Sequence, residues 1–181
     1  MVTPEQIIEH FGLQPLPVEG GMFSQTYCAS EGFPAEHLPP RYTDNKPFGV
    51  AIVYLLTADA NSFSAMHLLP TDEIYHFYLG DPVEQLLCYP DGRSEHIILG
   101  KDILNDQYVQ HVAQRNVWQG SRLIPGGNFA LLGTTMAPGF TEGDYLGGDR
   151  DELIENYPHE ADMIRLLTRP EETRRRMTAA T

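Results

Sequence analysis

Cationic residues are scarce in this chain. Twelve lysines and arginines stand against 25 aspartates and glutamates, a formal net charge of -13. A field of that sign repels nucleic acid and anionic membrane, so neither is expected as a partner. It leaves room for a small-molecule ligand, because a local pocket can oppose the global field. Cysteine is scarcer still: Cys28 and Cys88 are the whole complement. Two are too few for a disulfide framework or a zinc knuckle, and both read as small core residues in strand-like sequence. No apolar run approaches a membrane span, and the N-terminus lacks a basic region followed by an apolar one. A soluble, cytoplasmic protein is the expectation. No Gly-x-Ser-x-Gly elbow and no Cys-His grouping supports nucleophilic catalysis. Internal repeats and low-complexity segments are also missing.

What is present suffices for one domain. The 181 residues are 41% hydrophobic and 20% charged, enough for a full core and too apolar for global disorder. Thr3-Pro4-Glu5-Gln6 opens a short helix with a capping box, Ile7, Ile8 and Phe11 form its apolar face, and Gly12 ends it. Glu19-Gly20-Gly21 is a turn before a strand over Met22 to Ala29; no lysine and no helix follow, so it is not a phosphate loop. Ser30 to Lys46, with three prolines, reads as a long surface loop or lid. Short strands punctuated by turns then run from Phe48 to Met136, with Pro90-Asp91-Gly92 and Pro125-Gly126-Gly127-Asn128 among the turns. Helices are expected from Asp149 and over Ala161 to Leu167, and Arg174-Arg175-Arg176 reads as a solvated tail. The expectation is one domain over residues 1–181, with a sandwich or barrel over about 20–140 and helices over about 149–169.

The chemistry concentrates in Ser62 to Gly80. Two strands flank a tight turn from Leu69 to Asp72, in which Pro70 presets φ. The second strand begins with Glu73, carries His76, and places Tyr75, Phe77 and Leu79 on the glutamate's face. An ordinary core strand does not carry both a carboxylate and an imidazole. His67, on the adjacent strand, is expected to lie across from Glu73. Tyr27, Tyr75 and Tyr78 offer hydroxyls, and Trp118 is either a stacking platform or a barrel plug. His10, His37, His96, His111 and His159 receive no role.

His67, Glu73 and Gly80 have the spacing of the first half of a cupin signature. In the second half a histidine should follow Pro-x-Gly; here the segment is Gln114-Arg115-Asn116-Val117-Trp118-Gln119, with Gln119 at the histidine's place. Leu69 stands where the first half's second histidine should be. A closer resemblance lies in Gly20-Gly21-Met22-Phe23, the run from Asp72 to Pro82, Tyr89-Pro90-Asp91-Gly92, Val117-Trp118-Gln119 and Ala137-Pro138-Gly139-Phe140. These resemble cupin family 5 from about Ile7 to about Leu167. The resemblance implies an all-β double-stranded β-helix, a jelly-roll barrel of RmlC-like fold with short terminal helices, usually dimeric and mostly without an assigned reaction. A homodimer is therefore expected, with the edge strand from Phe23 to Cys28 as its pairing surface. Gln114-Arg115-Asn116 replaces the family's common Pro-Ala-Gly, and asparagine tolerates the positive φ such a turn needs.

Of four usual metal ligands only His67 and Glu73 remain, and an amide oxygen is a poor ligand for zinc or iron. No cofactor is expected; a weakly bound divalent metal would fall to His67, Glu73 and Gln119. Two readings of different class stand side by side. One is a metal-independent isomerase, epimerase or cyclase acting next to a carbonyl on a sugar-like or polyketide-like substrate. There His67 is the base, Glu73 its partner, and His76 or Tyr78 the acid, with Tyr27, Tyr75, Phe77, Trp118 and Gln119 around the substrate. The other is a non-catalytic small-molecule binding module. A metal-dependent cupin enzyme is the third.

Overall fold

The structure, a computed structural model, describes residues 2–169. Arg174 to Arg176 lie outside the described residues. Helix α1 (Pro4–Phe11) begins at Thr3, whose side chain accepts from the Gln6 backbone while the Gln6 side chain accepts from Thr3 N–H. It ends at Gly12, in the left-handed region at φ 60°. The long strands follow: β1 (Met22–Cys28), β2 (Val50–Thr57), β3 (Phe63–Leu68), β4 (Glu73–Gly80), β5 (Val83–Cys88), β6 (Ser94–Leu99), β7 (Gln110–Ala113), β8 (Trp118–Leu123) and β9 (Phe129–Met136). Helices α2 (Arg150–Asn156) and α3 (Ala161–Leu166) close the described chain.

Two six-stranded sheets face each other as a jelly roll. One runs Gln14–Pro15, β1, β2, β9, β4, β7; the other runs Gln107–Tyr108, β6, β5, β8, β3, Leu146–Gly147. Inward-facing Tyr54, Leu56, Phe77, Leu87 and Leu132 fill the space between them. Outside the first sheet, α1 packs Ile7 with Leu13 over Val53 and Leu55. Outside the second, α2 and α3 bury Leu153, Ile164 and Leu167 against Phe63 and Leu86.

Three sequence expectations need correction. First, β3 and β4 do not pair with each other. The turn from Leu69 to Asp72 carries the chain from one sheet to the other, so β3 lies between β8 and Leu146–Gly147, and β4 between β9 and β7. Second, Leu79 does not share the face of Glu73. Leu131 pairs with Leu79 and Leu132 with Phe77, so Tyr78 is a bulged extra residue and the alternation inverts beyond it. Third, Cys28 is exposed at the end of β1, whereas Cys88 is buried. Gln14–Pro15 covers Met22 and Phe23 at the start of β1, and the strand carries a register shift against β2 between Gln25 and Tyr27. Bulges of this kind work against continuous edge pairing.

The 30–47 loop is anchored, not free. Gly32–Phe33 pairs with Lys46–Pro47, and the Tyr42 hydroxyl meets Thr71 Oγ1 at 2.9 Å. Lys46 is buried, and its ammonium donates to Asp144 Oδ1 at 2.5 Å and to Thr141. This pair ties the loop to the segment that follows β9. Removing one partner strands the other's charge without water, which costs about 3–5 kcal/mol, whereas apolar replacement of both costs far less. Asp144→Ala is therefore expected to lower the unfolding free energy by about that amount in urea titration. Lys46→Met combined with Asp144→Leu is expected to recover most of it. A loss below about 1 kcal/mol for the single change would show the pair to be dispensable.

Candidate functional site

The site forms because the two sheets bring their polar residues to one interior region. Glu73 opens β4 on its inward face, and His67 lies near the end of β3 on the facing sheet. Gln119 on β8 is the cross-strand partner of His67. The turn between β3 and β4 is braced from outside: Asn116 N–H donates to Leu69 O, and Arg115 N–H donates to Asp72 Oδ1 at 2.8 Å. Asp72 thus caps the following turn, where Asn116 sits at φ 60°.

Three groups converge on one oxygen of Glu73. Gln119 Nε2 donates to Oε2 at 2.9 Å, the Tyr75 hydroxyl donates to it at 3.1 Å, and His67 Nε2 lies 3.9 Å away. His67 is 1% exposed and Glu73 7%. His67 Nδ1 donates to the Ala65 carbonyl at 2.8 Å, which directs Nε2 toward the carboxylate. The Tyr145 ring stacks on the imidazole, with centroids 5.2 Å apart.

A second carboxylate completes the group. Glu19 accepts from Ser64 Oγ at 2.8 Å and lines the same cavity as His67 and Glu73. It sits in a turn that nothing exposed would hold so firmly. Val18 is at φ 67° and Gly20 at φ 101°, and a Cβ on Gly20 would collide with the Phe63 carbonyl. Gly20 N–H donates to Leu16 O, the Tyr54 hydroxyl to Gly20 O at 2.9 Å, and Ala65 N–H to Glu19 O at 2.8 Å. A β-branched residue at positive φ is strained and persists only where its surroundings over-determine it.

Charge is distributed accordingly. Burial opposes an imidazolium at His67, but the Glu19 charge and the hydrogen bond and charge of Glu73 outweigh it and raise its pKa to about 9. At neutral pH the ring therefore carries both protons. Burial pushes the Glu19 carboxyl up, against the His67 charge, and the charge of Glu73 pushes the same way. Burial and then the two carboxylates push the Tyr75 phenol well up, so it stays a donor.

The cavity beside these groups has a volume of about 90 Å³. Leu16, Phe23, Val50, Ile52, Leu69 and Met136 make most of its apolar wall, with Phe140 and Tyr145 completing it. That is below the ~300 Å³ lower end of typical ligand pockets, so it suits a small compound or the reacting end of a larger one.

The other residues singled out in the sequence lie elsewhere. His76 faces outward: Nε2 meets Thr135 Oγ1 at 3.2 Å, Nδ1 meets Gln110, and the ring stacks on Tyr78. The bulge in β4 falls at Tyr78, beyond His76, and leaves the His76 side chain outward. Tyr78 is 53% exposed and Tyr27 57%. Trp118 packs outside the barrel against the cluster formed by α2 and α3, because its neighbour Gln119 takes the inward position. Phe77 belongs to the barrel core and does not line the cavity. Glu19 and Tyr145 were not anticipated. Glu19 looked like turn punctuation, and its only signal was a carboxylate placed before two glycines. Tyr145 lies in irregular chain beyond β9, where periodicity carries no information.

These donors do not fit a catalytic transition metal. Leu69 supplies no donor atom, and the amide of Gln119 presents its N–H to Glu73. Among the described residues, no group of three His, Cys, Asp or Glu side chains is arranged to hold a metal ion.

An inward glutamate and histidine on facing sheets of a jelly roll define a cupin-type barrel. The chain belongs to cupin family 5, described as Cupin superfamily (DUF985), whose pattern matches residues 5–146. The fold is similar to that of a protein from Shewanella oneidensis, at 24% identity and TM-score 0.82, covering 94% of this chain and 100% of that one. It is likewise similar to a Leishmania major protein, at 23% identity and TM-score 0.79, covering 92% of this chain and 98% of that one. A cupin 2 domain-containing protein from Halorhodospira halophila aligns at 10% identity and TM-score 0.50, over 85% of this chain and 86% of that one. No functionally curated protein matches the sequence. Among the described residues no helix is long and apolar enough to cross a membrane.

The His67 environment has a consequence for stability. Its folded pKa lies above the unfolded value of 6.5, so its contribution is complete below about 6.5 and is lost as pH rises through about 9. Unfolding free energy measured from pH 6 to pH 10 is expected to fall more steeply in the wild type than in His67→Gln. His96, whose pKa is also raised, against burial, by Glu160 and Glu84, contributes equally to both proteins. Parallel pH profiles for the two would refute the charged state of His67.

Proposed function

We propose that this cupin moves a proton next to a carbonyl on a small substrate, without a metal, through His67 and Glu73. The observation that carries this reading is the pair's geometry. An imidazole and a carboxylate from facing sheets border one apolar cavity, each oriented by its own hydrogen-bond partners. Because His67 is protonated at neutral pH, its expected role changes from base to acid. Its Nε2–H would donate to the substrate carbonyl oxygen, and Glu73 would accept a proton from the adjacent carbon. The C–H electron pair becomes the enol double bond, and the carbonyl π pair moves to oxygen, which takes the imidazolium proton. Returning a proton to carbon completes an isomerisation or epimerisation; attack of the enol carbon on an internal electrophile would complete a cyclisation. Sugar-like and polyketide-like carbonyl compounds are the substrate classes.

A second reading, a non-catalytic binding module, is favoured by one observation. Glu73 already accepts two hydrogen bonds through Oε2, from Gln119 and Tyr75, so that oxygen is engaged by the protein itself. The readings separate on one pair of variants. For the enzyme, Glu73→Gln keeps shape and removes charge, and is expected to cost on the order of a hundredfold or more in turnover. His67→Gln is expected to cost at least as much, with the circular-dichroism spectrum unchanged. Exchange of the carbon-bound proton of hydroxyacetone for deuterium, followed by NMR, measures both. Exchange no faster in the wild type than in Glu73→Gln would leave the binding module as the function.

A further inference from the structure

We propose that Glu19 is a third polar wall of the cavity that faces the substrate, and that its pairing with Glu73 restricts the site to uncharged carbonyl compounds, excluding phosphorylated and carboxylated ones. The proposal rests on the acid–base reading of the site and adds the substrate's charge class to it.

The argument begins with what lines the cavity. Two carboxylates and one imidazole are its ionisable groups apart from the Tyr145 phenol, and no lysine or arginine reaches it. Two cations in neighbouring segments are held by other partners. Lys46 is held by Asp144 and Thr141. Arg169 donates to the Val18 carbonyl at 2.7 Å and lies over the Phe63 ring. His67 carries the cavity's one positive charge, and Glu73 lies 3.9 Å from it. An anionic ligand would therefore bring a third negative charge to a site whose single cation is already balanced. Like charges brought together away from water cost far more than a missing contact does. Apart from Gln25, Thr134 and Tyr145, which are polar but carry no positive charge, the rest of the wall is apolar.

Glu19 is not there by accident of a loose loop. Its turn is tied to both sheets, through Tyr54 on β2 and through Ala65 on β3. The tie at Ala65 is double. Ala65 N–H donates to the Glu19 carbonyl, and the Ala65 carbonyl accepts from His67 Nδ1. One residue of β3 thus fixes both the acid and the imidazole.

The test compares two small probes that share a carbonyl and differ in charge, hydroxyacetone and pyruvate. Binding is read at pH 7.5 from the His67 ring signals in NMR, identified by their loss in His67→Gln. Hydroxyacetone is expected to shift those signals saturably in the wild type, and pyruvate to require at least about tenfold higher concentration. Glu19→Gln is expected to bring the two probes within about threefold, whereas Glu19→Asp keeps the preference. Equal binding of both probes by the wild type would overturn the proposal. So would an unchanged ratio in Glu19→Gln, or an absence of any shift with hydroxyacetone. If Glu19→Gln does not fold, the wild-type comparison decides alone. The acid–base reading fails on a different observable, deuterium exchange at carbon, so selective binding without exchange would sink that reading and leave this one standing.

Discussion

A carboxylate buried between two sheets has to be solvated by protein, because moving it out of water otherwise costs more than any single contact returns. Glu73 imposes that requirement on everything around it. Its Oε2 takes an N–H from Gln119 and an O–H from Tyr75, and the imidazolium of His67 supplies the counter-charge. Each of those three then needs its own orientation. Tyr75 receives it from the period of β4, two residues on and on the same face. Gln119 receives it from its register beside His67 across β3 and β8. His67 receives it from the Ala65 carbonyl on one side and the Tyr145 ring on another. The site's precision follows from strands rather than loops, and strands hold side chains in fewer rotamers.

The parts that do come from loops are tied down at unusual expense. The turn around Glu19 includes a valine at positive φ, and the segment carrying Tyr145 is anchored by a buried lysine–aspartate pair. Neither feature is needed for a barrel to close, since the core residues between the sheets do that alone. Both features act on the groups that touch His67, one through Ala65 and Ser64, the other through the ring of Tyr145.

Much of this was legible in the sequence, for identifiable reasons. Strand β9 is delimited by Gly-Gly-Asn and Ala-Pro-Gly, and α1 by Thr3 and Gly12, so local turn and cap chemistry set their ends. The inward set Glu73, Tyr75 and Phe77 follows from a period of two. What failed was whatever depended on non-local geometry. A four-residue segment containing Pro70 looks like a hairpin turn, but a jelly roll uses such a segment to cross between sheets, and sequence spacing cannot distinguish the two. The bulge at Tyr78 was invisible because its cause lies in pairing with β9. Trp118 and Gln119 are adjacent on one strand, so both could not face the cavity; alternation alone required that one point outward.

The imidazolium and a metal ion would compete for one place in this barrel. Glu73 needs a positive neighbour, and either a divalent cation or a protonated histidine can be that neighbour. A metal ion in the site would need the His67 Nε2 electron pair and further donors at positions 69 and 119. Leu69 is aliphatic and lines the cavity wall, and the Gln119 amide donates a hydrogen to the same oxygen a metal would claim. Each of these two positions separately denies a metal ion a donor atom. Together they suit the site to the proposed acid–base chemistry, and the strands, their register and the inward glutamate would serve either a proton or a metal ion. Glu19 acts in the same direction. By adding a second carboxylate beside the ring it strengthens the hold on the proton, and the serine at position 64 keeps that carboxylate in place. The chemistry of the site is thus set by which cation the glutamate is given, and the sequence gives it an imidazolium.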